Sequence, residues 1–153
     1  MAKQITANLI LGDARVVDTA LSSINSLAQL RGFNFIVGSA QQLIDGLATH
    51  STIASAIAGA LSGNSIYILA GTYNENVVVN KTLFISGQGY ASFINGTLDY
   101  NATGDYCRVR DVRVNGNITF QAGSQSSYFD GYQTTASTVT DSGTGNYFFV
   151  QDT

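Results

Sequence analysis

The fold is decided by residues 76–120, NVVVNKTLFISGQGYASFINGTLDYNATGDYCRVRDVRVNGNITF, in which short apolar segments recur at a regular spacing. The segments NVVVN, GTLDY and GNITF begin 20 residues apart, at positions 76, 96 and 116, and STVTD follows at 137. The turns repeat as well, because Asn95-Gly96 and Asn115-Gly116 each follow a segment and favour a sharp corner. A repeat of this length is typical of stacked, solenoid-like architectures.

Two further series of segments recur beside the first. One series is TLFIS (82–86), YCRVR (106–110), SYFDG (127–131) and NYFFV (146–150). The other is SIYIL (65–69), SFING (92–96), DVRVN (111–115) and the weaker GYQTT (131–135). Alternate side chains in each segment are apolar, which indicates strands with one buried face. Three strands per unit predict a mainly β fold, a short right-handed parallel β-helix of about four coils. The rival, a β-sandwich, would favour hairpins with two-residue turns.

A helix is predicted before the repeats, over Ser51–Leu61, with Ser51 as its N-terminal cap and Gly63 beyond its end. Its alanine-rich apolar face is suited to plugging the N-terminal end of the β-helix. Residues 49–153 are therefore predicted to be one capped parallel β-helix domain. Glu75, in the turn after the first coil's strands, is expected to bond the amides of that turn.

Residues 1–48 are predicted to be a small helical region for attachment and trimerisation. A helix is expected over Asp18–Leu30, with Asp18 as its cap and Gly32 beyond its end. Its apolar stripe supplies four candidate contact residues, Val17, Leu21, Ile24 and Leu27. The stripe either packs on its own chain or forms a seam with other copies of the chain.

The C-terminal end of the predicted β-helix is apolar and lacks a polar cap. Its last strand contains Tyr147, Phe148, Phe149 and Val150. Four coils also make a thin core, so neighbouring copies are expected to cover what one chain leaves open. A homotrimer is the predicted assembly, because triangular coils can pack side by side about a three-fold axis.

The composition excludes several classes of function. Only 11% of the residues are charged, and the polarity comes instead from 15 Ser, 15 Thr and 12 Asn. A net charge of −3 argues against nucleic acid and anionic membranes as partners. One cysteine, Cys107, and one histidine, His50, exclude a disulfide framework and sites built from several Cys or His. No signal peptide or run of about 20 apolar residues is present. We therefore expect no cofactor, no metal and no membrane insertion.

The segment NSIYILAGTYNENVVVNKTLFISGQGY (64–90) resembles the opening coils of pectin-lyase-like β-helix proteins. These include pectin methylesterases and periplasmic copper-site assembly proteins, whose first coils follow an alanine-rich helix, here STIASAIAGAL. The resemblance implies the fold. It does not imply an activity, because this stretch is structural in those enzymes.

A second resemblance concerns residues 35–73 together with SGTGN (142–146). They look like small β-helix virion proteins of marine and cyanobacterial tailed phages, which serve as tail fibres, spikes, head fibres or capsid decorations. The resemblance implies a non-enzymatic structural protein, assembled in the host cytoplasm into the virion as a trimer that contacts other virion proteins, most simply a capsid decoration or head fibre. The alternatives are a tail fibre or spike adhesin that binds host-surface glycans, and a glycan-cleaving β-helix enzyme.

Three arginines and two tyrosines are the candidate surface-contact residues. Arg108, Arg110 and Arg113 are expected to face outward, because Cys107, Val109, Val112 and Val114 alternate with them as inward residues. They form either a solvated face balanced by nearby aspartates or a contact for an acidic protein surface or anionic glycan. Exposed tyrosines can stack on sugar rings, whereas others must fill corners of the coil. The candidates are Tyr90, Tyr100, Tyr106, Tyr128 and Tyr132, of which Tyr128 and Tyr132 are taken as surface contacts.

No catalytic residue is assigned. Asp111 and Asp130 are 19 residues apart, so they could stack in adjacent coils, about 5 Å apart, within reach of acid–base chemistry. The simpler interpretation is that both are turn residues at strand ends. His50-Ser51 has no third member that would complete a nucleophilic site.

Overall fold

The computed structural model describes residues 32–134 and 137–152. This part of the chain is mainly β and forms a parallel β-solenoid of about four turns, so the predicted fold is confirmed. The helix expected over Asp18–Leu30, with its contact residues Val17, Leu21, Ile24 and Leu27, lies outside the described residues.

The strands are short, and helices are confined to the N-terminal part of the described chain. The elements in order are β1 Phe35–Val37, α1 Ala40–Ile44, α2 Ile53–Gly59, β2 Ser65–Ile68, β3 Gly71–Tyr73, β4 Val77–Val79, β5 Phe84–Ser86, a 3-10 turn Gly89–Ala91, β6 Ser92–Ile94, β7 Leu98–Tyr100, β8 Arg108–Val114, β9 Ile118–Phe120, β10 Tyr128–Gln133, β11 Val139–Asp141 and β12 Tyr147–Asp152.

Two parallel sheets form the three faces of the solenoid: an eight-stranded sheet covers the first and second faces, and a four-stranded sheet forms the third. The first face has the strand order β1-β2-β5-β8-β10-β12, and the third face has the order β11-β9-β7-β4. The second face consists of β3, β6 and the C-terminal ends of β8, β10 and β12. Strands β8, β10 and β12 are longer than the others because each runs around the corner between the first and second faces.

A β-bulge makes this corner. Arg110 pairs with Asp130 and Arg113 pairs with Tyr132, so two residues of β8 lie opposite the single Gly131 of β10. One of the two, Asp111, has a φ of 57°, a conformation that is uncommon outside glycine. The extra residue bends β8 and turns its second half onto the second face.

The core is a set of stacked side chains that point inward from each face. On the third face, Leu98 lies between Val77 and Ile118, and all three are buried. The rings of Tyr100 and Phe120 stack beside them with centroids 4.3 Å apart. Each such side chain contributes roughly 1.5–3 kcal/mol relative to leaving it exposed, so these columns hold successive coils together.

The strand register differs from the sequence alignment at several steps. Val77 pairs with Leu98 and Val109 pairs with Phe129, each one residue away from the predicted partner. The predicted series that joins SIYIL to SFING is also wrong. SIYIL forms β2, which pairs with β5 on the first face, and the strand that pairs with β6 on the second face is β3, GTY. The corners differ in length, so strand positions are only approximately periodic.

Helix α2 packs across the N-terminal end of the solenoid, as predicted for the plug. Ile53, Ala56 and Ile57 are buried in the main core. The helix is shorter than predicted and begins two residues later, at Ile53. Its cap is Thr52, whose side chain accepts a hydrogen bond from the Ser55 amide, and not Ser51.

Two charged side chains of the first coil hold the two ends of α2. The Glu75 carboxylate accepts hydrogen bonds from the amides of Ile53 and Ala54, at 3.0 and 2.8 Å, instead of from its own turn. The Lys81 ammonium donates to three carbonyls at the other end, those of Ile57, Ala58 and Ala60. A negative charge at the N-terminus and a positive charge at the C-terminus interact favourably with the helix dipole. The two side chains also satisfy free backbone groups at the helix ends.

We predict that Glu75→Gln and Lys81→Met each lower the free energy of unfolding by about 1–3 kcal/mol, because each removes charge-assisted hydrogen bonds to the helix. Urea denaturation followed by circular dichroism measures the change. Asp99→Asn, on the outer side of the third face, is the control and should have little effect. If the two variants were as stable as this control, α2 would not depend on the two charges.

Candidate functional site

The outer surface of the first face contains a groove of about 480 Å³, which we call the first-face groove. Its lining residues are Phe33, Phe84, Ile85, Ser86, Arg108, Arg110, Tyr128 and Asp130. The groove joins aromatic rings to guanidinium and carboxylate groups.

The parallel register assembles the groove from distant parts of the sequence. Phe84, Arg108 and Tyr128 occupy one outward column, and Tyr147 continues it on β12. Ser86, Arg110 and Asp130 occupy the next outward column, and Phe149 continues that one. Neighbouring members of a column are separated by about 4.8 Å, the spacing of strands in a sheet.

Arg108 is exposed and lies beside two aromatic rings. Its guanidinium carbon is 5.7 Å from the ring centroid of Phe84 and 5.9 Å from that of Tyr128, within the range of a cation–π interaction. No carboxylate in the described part of the chain pairs with it. Its N–H donors are therefore available to an anionic group.

Arg110, in contrast, is paired. Its Nε donates to the carboxylate of Asp111 at 2.8 Å, and this hydrogen bond raises the pKa of Arg110. The Ser86 hydroxyl lies 3.5 Å from the same carboxylate. Asp130 lies opposite Arg110 and not opposite Asp111, so the two aspartates do not share a column as the sequence had allowed. Asp111 is part of the bulge at the corner, and the hydrogen bond from Arg110 fixes the position of its side chain.

A second cluster lies around the corner, on the second face. The Arg113 guanidinium carbon is 3.7 Å from the ring centroid of Phe93 and 4.2 Å from that of Tyr90. The rings of Tyr90 and Tyr132 meet edge to face, with centroids 5.8 Å apart. Within the described residues, the buried Nε of Arg113 has no hydrogen-bond partner. We call these four residues the second-face cluster.

The five predicted contact residues therefore form two groups. Arg108, Arg110 and Tyr128 lie together in the first-face groove, whereas Arg113 and Tyr132 belong to the second-face cluster. The inward residues between the arginines, Cys107, Val109, Val112 and Val114, are all buried, as predicted. Tyr90, another predicted tyrosine, also belongs to the second-face cluster, whereas Tyr100 is buried in the core. The sequence analysis missed three aromatic members, Phe33, Phe84 and Phe93. Of these, only Phe84 could have been predicted from the alternation of residues, since it lies between the inward Leu83 and Ile85.

Comparisons with known proteins identify no relative. No family model matches the chain, and no curated protein and no solved structure matches it. Over residues 32–134 and 137–152, no group of three or more His, Cys, Asp or Glu side chains could hold a metal ion. Nor does any helix of that part have the length and apolar character needed to span a membrane.

Two buried titratable groups, Cys107 and Tyr73, belong to the packing inside the solenoid. Burial raises the pKa of the Cys107 thiol to about 11, and the thiol donates to the Lys81 carbonyl. Burial, together with the nearby Glu75 charge, raises the pKa of Tyr73 to about 12, and its hydroxyl donates to the Leu69 carbonyl at 2.8 Å. Both groups are neutral parts of the packing at neutral pH.

These pKa values predict a loss of stability at alkaline pH. A thiol or phenol whose pKa is higher in the folded state stabilises the fold fully below its unfolded pKa. That contribution disappears as the pH rises through the folded values, about 11 for Cys107 and about 12 for Tyr73. The urea midpoint should be constant from about pH 7 to 9 and then fall. In Cys107→Ala the fall should begin at higher pH. Rapid thiol labelling of the native chain near pH 8 would contradict the burial of Cys107.

Proposed function

We propose that this chain is a non-enzymatic structural protein of a phage virion, a trimeric β-helix appendage that decorates the capsid. The observation that carries the proposal is the last strand, β12. The exposed fractions of Tyr147, Phe148 and Phe149 are 67%, 48% and 70%. Exposed aromatic side chains in a row are typical of a surface that another chain covers. A β-helix with such a surface on β12 suits an appendage fixed to a particle.

The outer surface supports a mechanical role. At one corner the Asn95 amide donates to Asn74 at 2.7 Å, and the Asn115 amide donates to Asn95 at 2.8 Å. This exposed ladder links three successive coils without any ionic group, so salt screening leaves it unaffected. Together with the parallel backbone ladders it makes the module stiff and tolerant of varied ionic conditions.

The first test is the solution mass of the full chain by light scattering, at low salt and at about 1 M salt. We expect about three times the chain mass of 16.2 kDa at both. Phe149→Asp should give monomers, since it adds a charge to the covered strand. Thr140→Asp, on the outer side of β11, adds the same charge and should stay trimeric. Circular dichroism checks that both variants are folded.

If the wild-type chain were a monomer in solution, the proposed self-association would be wrong. The virion assignment has its own test, which is mass spectrometry of particles purified from a lysate in which the gene is expressed. The chain should be present in amounts comparable to other structural proteins. Its absence from the particles would overturn that assignment whatever the solution mass.

A second candidate function, adhesion to host-surface glycans, is favoured by the second-face cluster. Tyr90 is 52% exposed and meets Tyr132 edge to face, with the Arg113 guanidinium beside it. Aromatic rings next to a fixed hydrogen-bond donor form a surface on which a sugar ring can stack. This candidate keeps the same fold and differs only in what the second face contacts.

If the second candidate holds, titration calorimetry with host-surface polysaccharide should detect binding that Tyr132→Ala weakens at least about tenfold, the loss expected from one aromatic contact. Tyr106→Ala is the matched control, because Tyr106 is also exposed and belongs to neither cluster. A loss caused by Tyr128→Ala instead would place the sugar in the first-face groove. No binding by the wild type would exclude the candidate.

A further inference from the structure

The basic side chains of the described residues differ in what they contact. There are four of them, and three have a partner within the fold: Lys81 bonds the carbonyls at the end of α2, Arg110 bonds Asp111, and Arg113 lies against Tyr90 and Phe93. The fourth, Arg108, lies over two aromatic rings at longer distances, 5.7 and 5.9 Å, and has no acidic partner among the described residues. A guanidinium without an acidic partner, at the centre of a groove, is suited to recognising an anion from another molecule.

The walls of the groove indicate what kind of anion-bearing molecule fits. Phe33 and Phe84 offer hydrocarbon rings with no polar group, and Tyr128 adds a third ring. Ser86 is the only aliphatic hydroxyl in the lining, and it already lies near the Asp111 carboxylate. A saccharide needs many hydrogen-bond partners, whereas an apolar side chain next to a carboxylate needs few. The groove therefore favours a peptide over a sugar.

Charge favours the same partner at Arg108. The chain carries a net charge of −3, so its overall field disfavours an acidic segment elsewhere. Arg110 is neutralised by Asp111, whereas Arg108 has no carboxylate partner among the described residues and is the position in the groove that attracts an anionic group. Another lining residue, Phe33, belongs to residues 1–48, the region for which the sequence predicts attachment.

We propose that the first-face groove docks an acidic peptide segment of a neighbouring virion protein. A carboxylate of the segment pairs with the fork of N–H donors of Arg108, and an adjacent apolar side chain packs against Phe84 and Tyr128. This inference rests on the proposed structural role in a virion, since it names the chemistry of the neighbour. Asp130, at the far side of the groove, disfavours a second acidic group there and so fixes the register of the segment.

Fluorescence anisotropy of the full chain tests the docking with a labelled probe peptide that alternates glutamate and phenylalanine. A matched peptide with glutamine in place of glutamate is the control probe. We expect only the acidic probe to bind, and Arg108→Gln to weaken it at least about tenfold, the effect of losing a charge-assisted pair. Arg108→Lys should bind with intermediate affinity, because it keeps the charge and loses the planar fork.

Thr140→Glu is the matched control variant, because it changes the net charge by the same amount on the third face and should bind the acidic probe as the wild type does. Equal binding of both probes, or full binding by Arg108→Gln, would overturn the proposal. Arg108-dependent binding of oligogalacturonate without peptide binding would overturn it in favour of a saccharide. A salt-resistant trimer found in virions that fails to bind the acidic probe would refute the docking alone. A chain that binds through Arg108 and is absent from virions would refute the proposed function.

Discussion

The parallel hydrogen-bond ladder between successive coils is the constraint on which the rest of the structure depends. It fixes each strand at one strand spacing from its counterpart, so residues about one coil apart in sequence become neighbours in space. The column of Phe84, Arg108 and Tyr128 exists for this reason alone. The same constraint brings the corners into close contact. A Cβ atom added at Gly96 would lie 2.1 Å from the Glu75 carbonyl oxygen, so the corner requires glycine.

The two ends of the ladder differ in whether their free backbone groups and apolar side chains are covered. At the N-terminal end α2 covers the core, and the charges of Glu75 and Lys81 satisfy the ends of the helix itself. At β12, Phe148 stacks on Phe120, and among the described strands β12 pairs with β10 alone. An edge strand with exposed aromatic side chains invites another chain, whereas the capped end does not. This asymmetry gives the module a defined direction.

Much of the fold was predictable because the alternation of apolar residues and the repeat spacing both survive in the sequence. The inward Cys107 and the outward Arg108 follow from that alternation. The exact register was not predictable, since corners vary in length. Asp111 also adopts a positive φ, which its residue type does not predict. The site could be predicted only in part for the same reason. The arginines could be found, but the bend that sends Arg113 to another face could not.

The separation of the two specialised ends from the repeating coils has an evolutionary consequence. Each coil contacts only the coils next to it, so stability is close to a sum over neighbours. Duplication of a whole coil between β9 and β10 would leave α2 and β12 with the same partners, while the module became longer by one strand spacing. Length is therefore a trait that can vary by simple gene duplication, independently of how either end attaches.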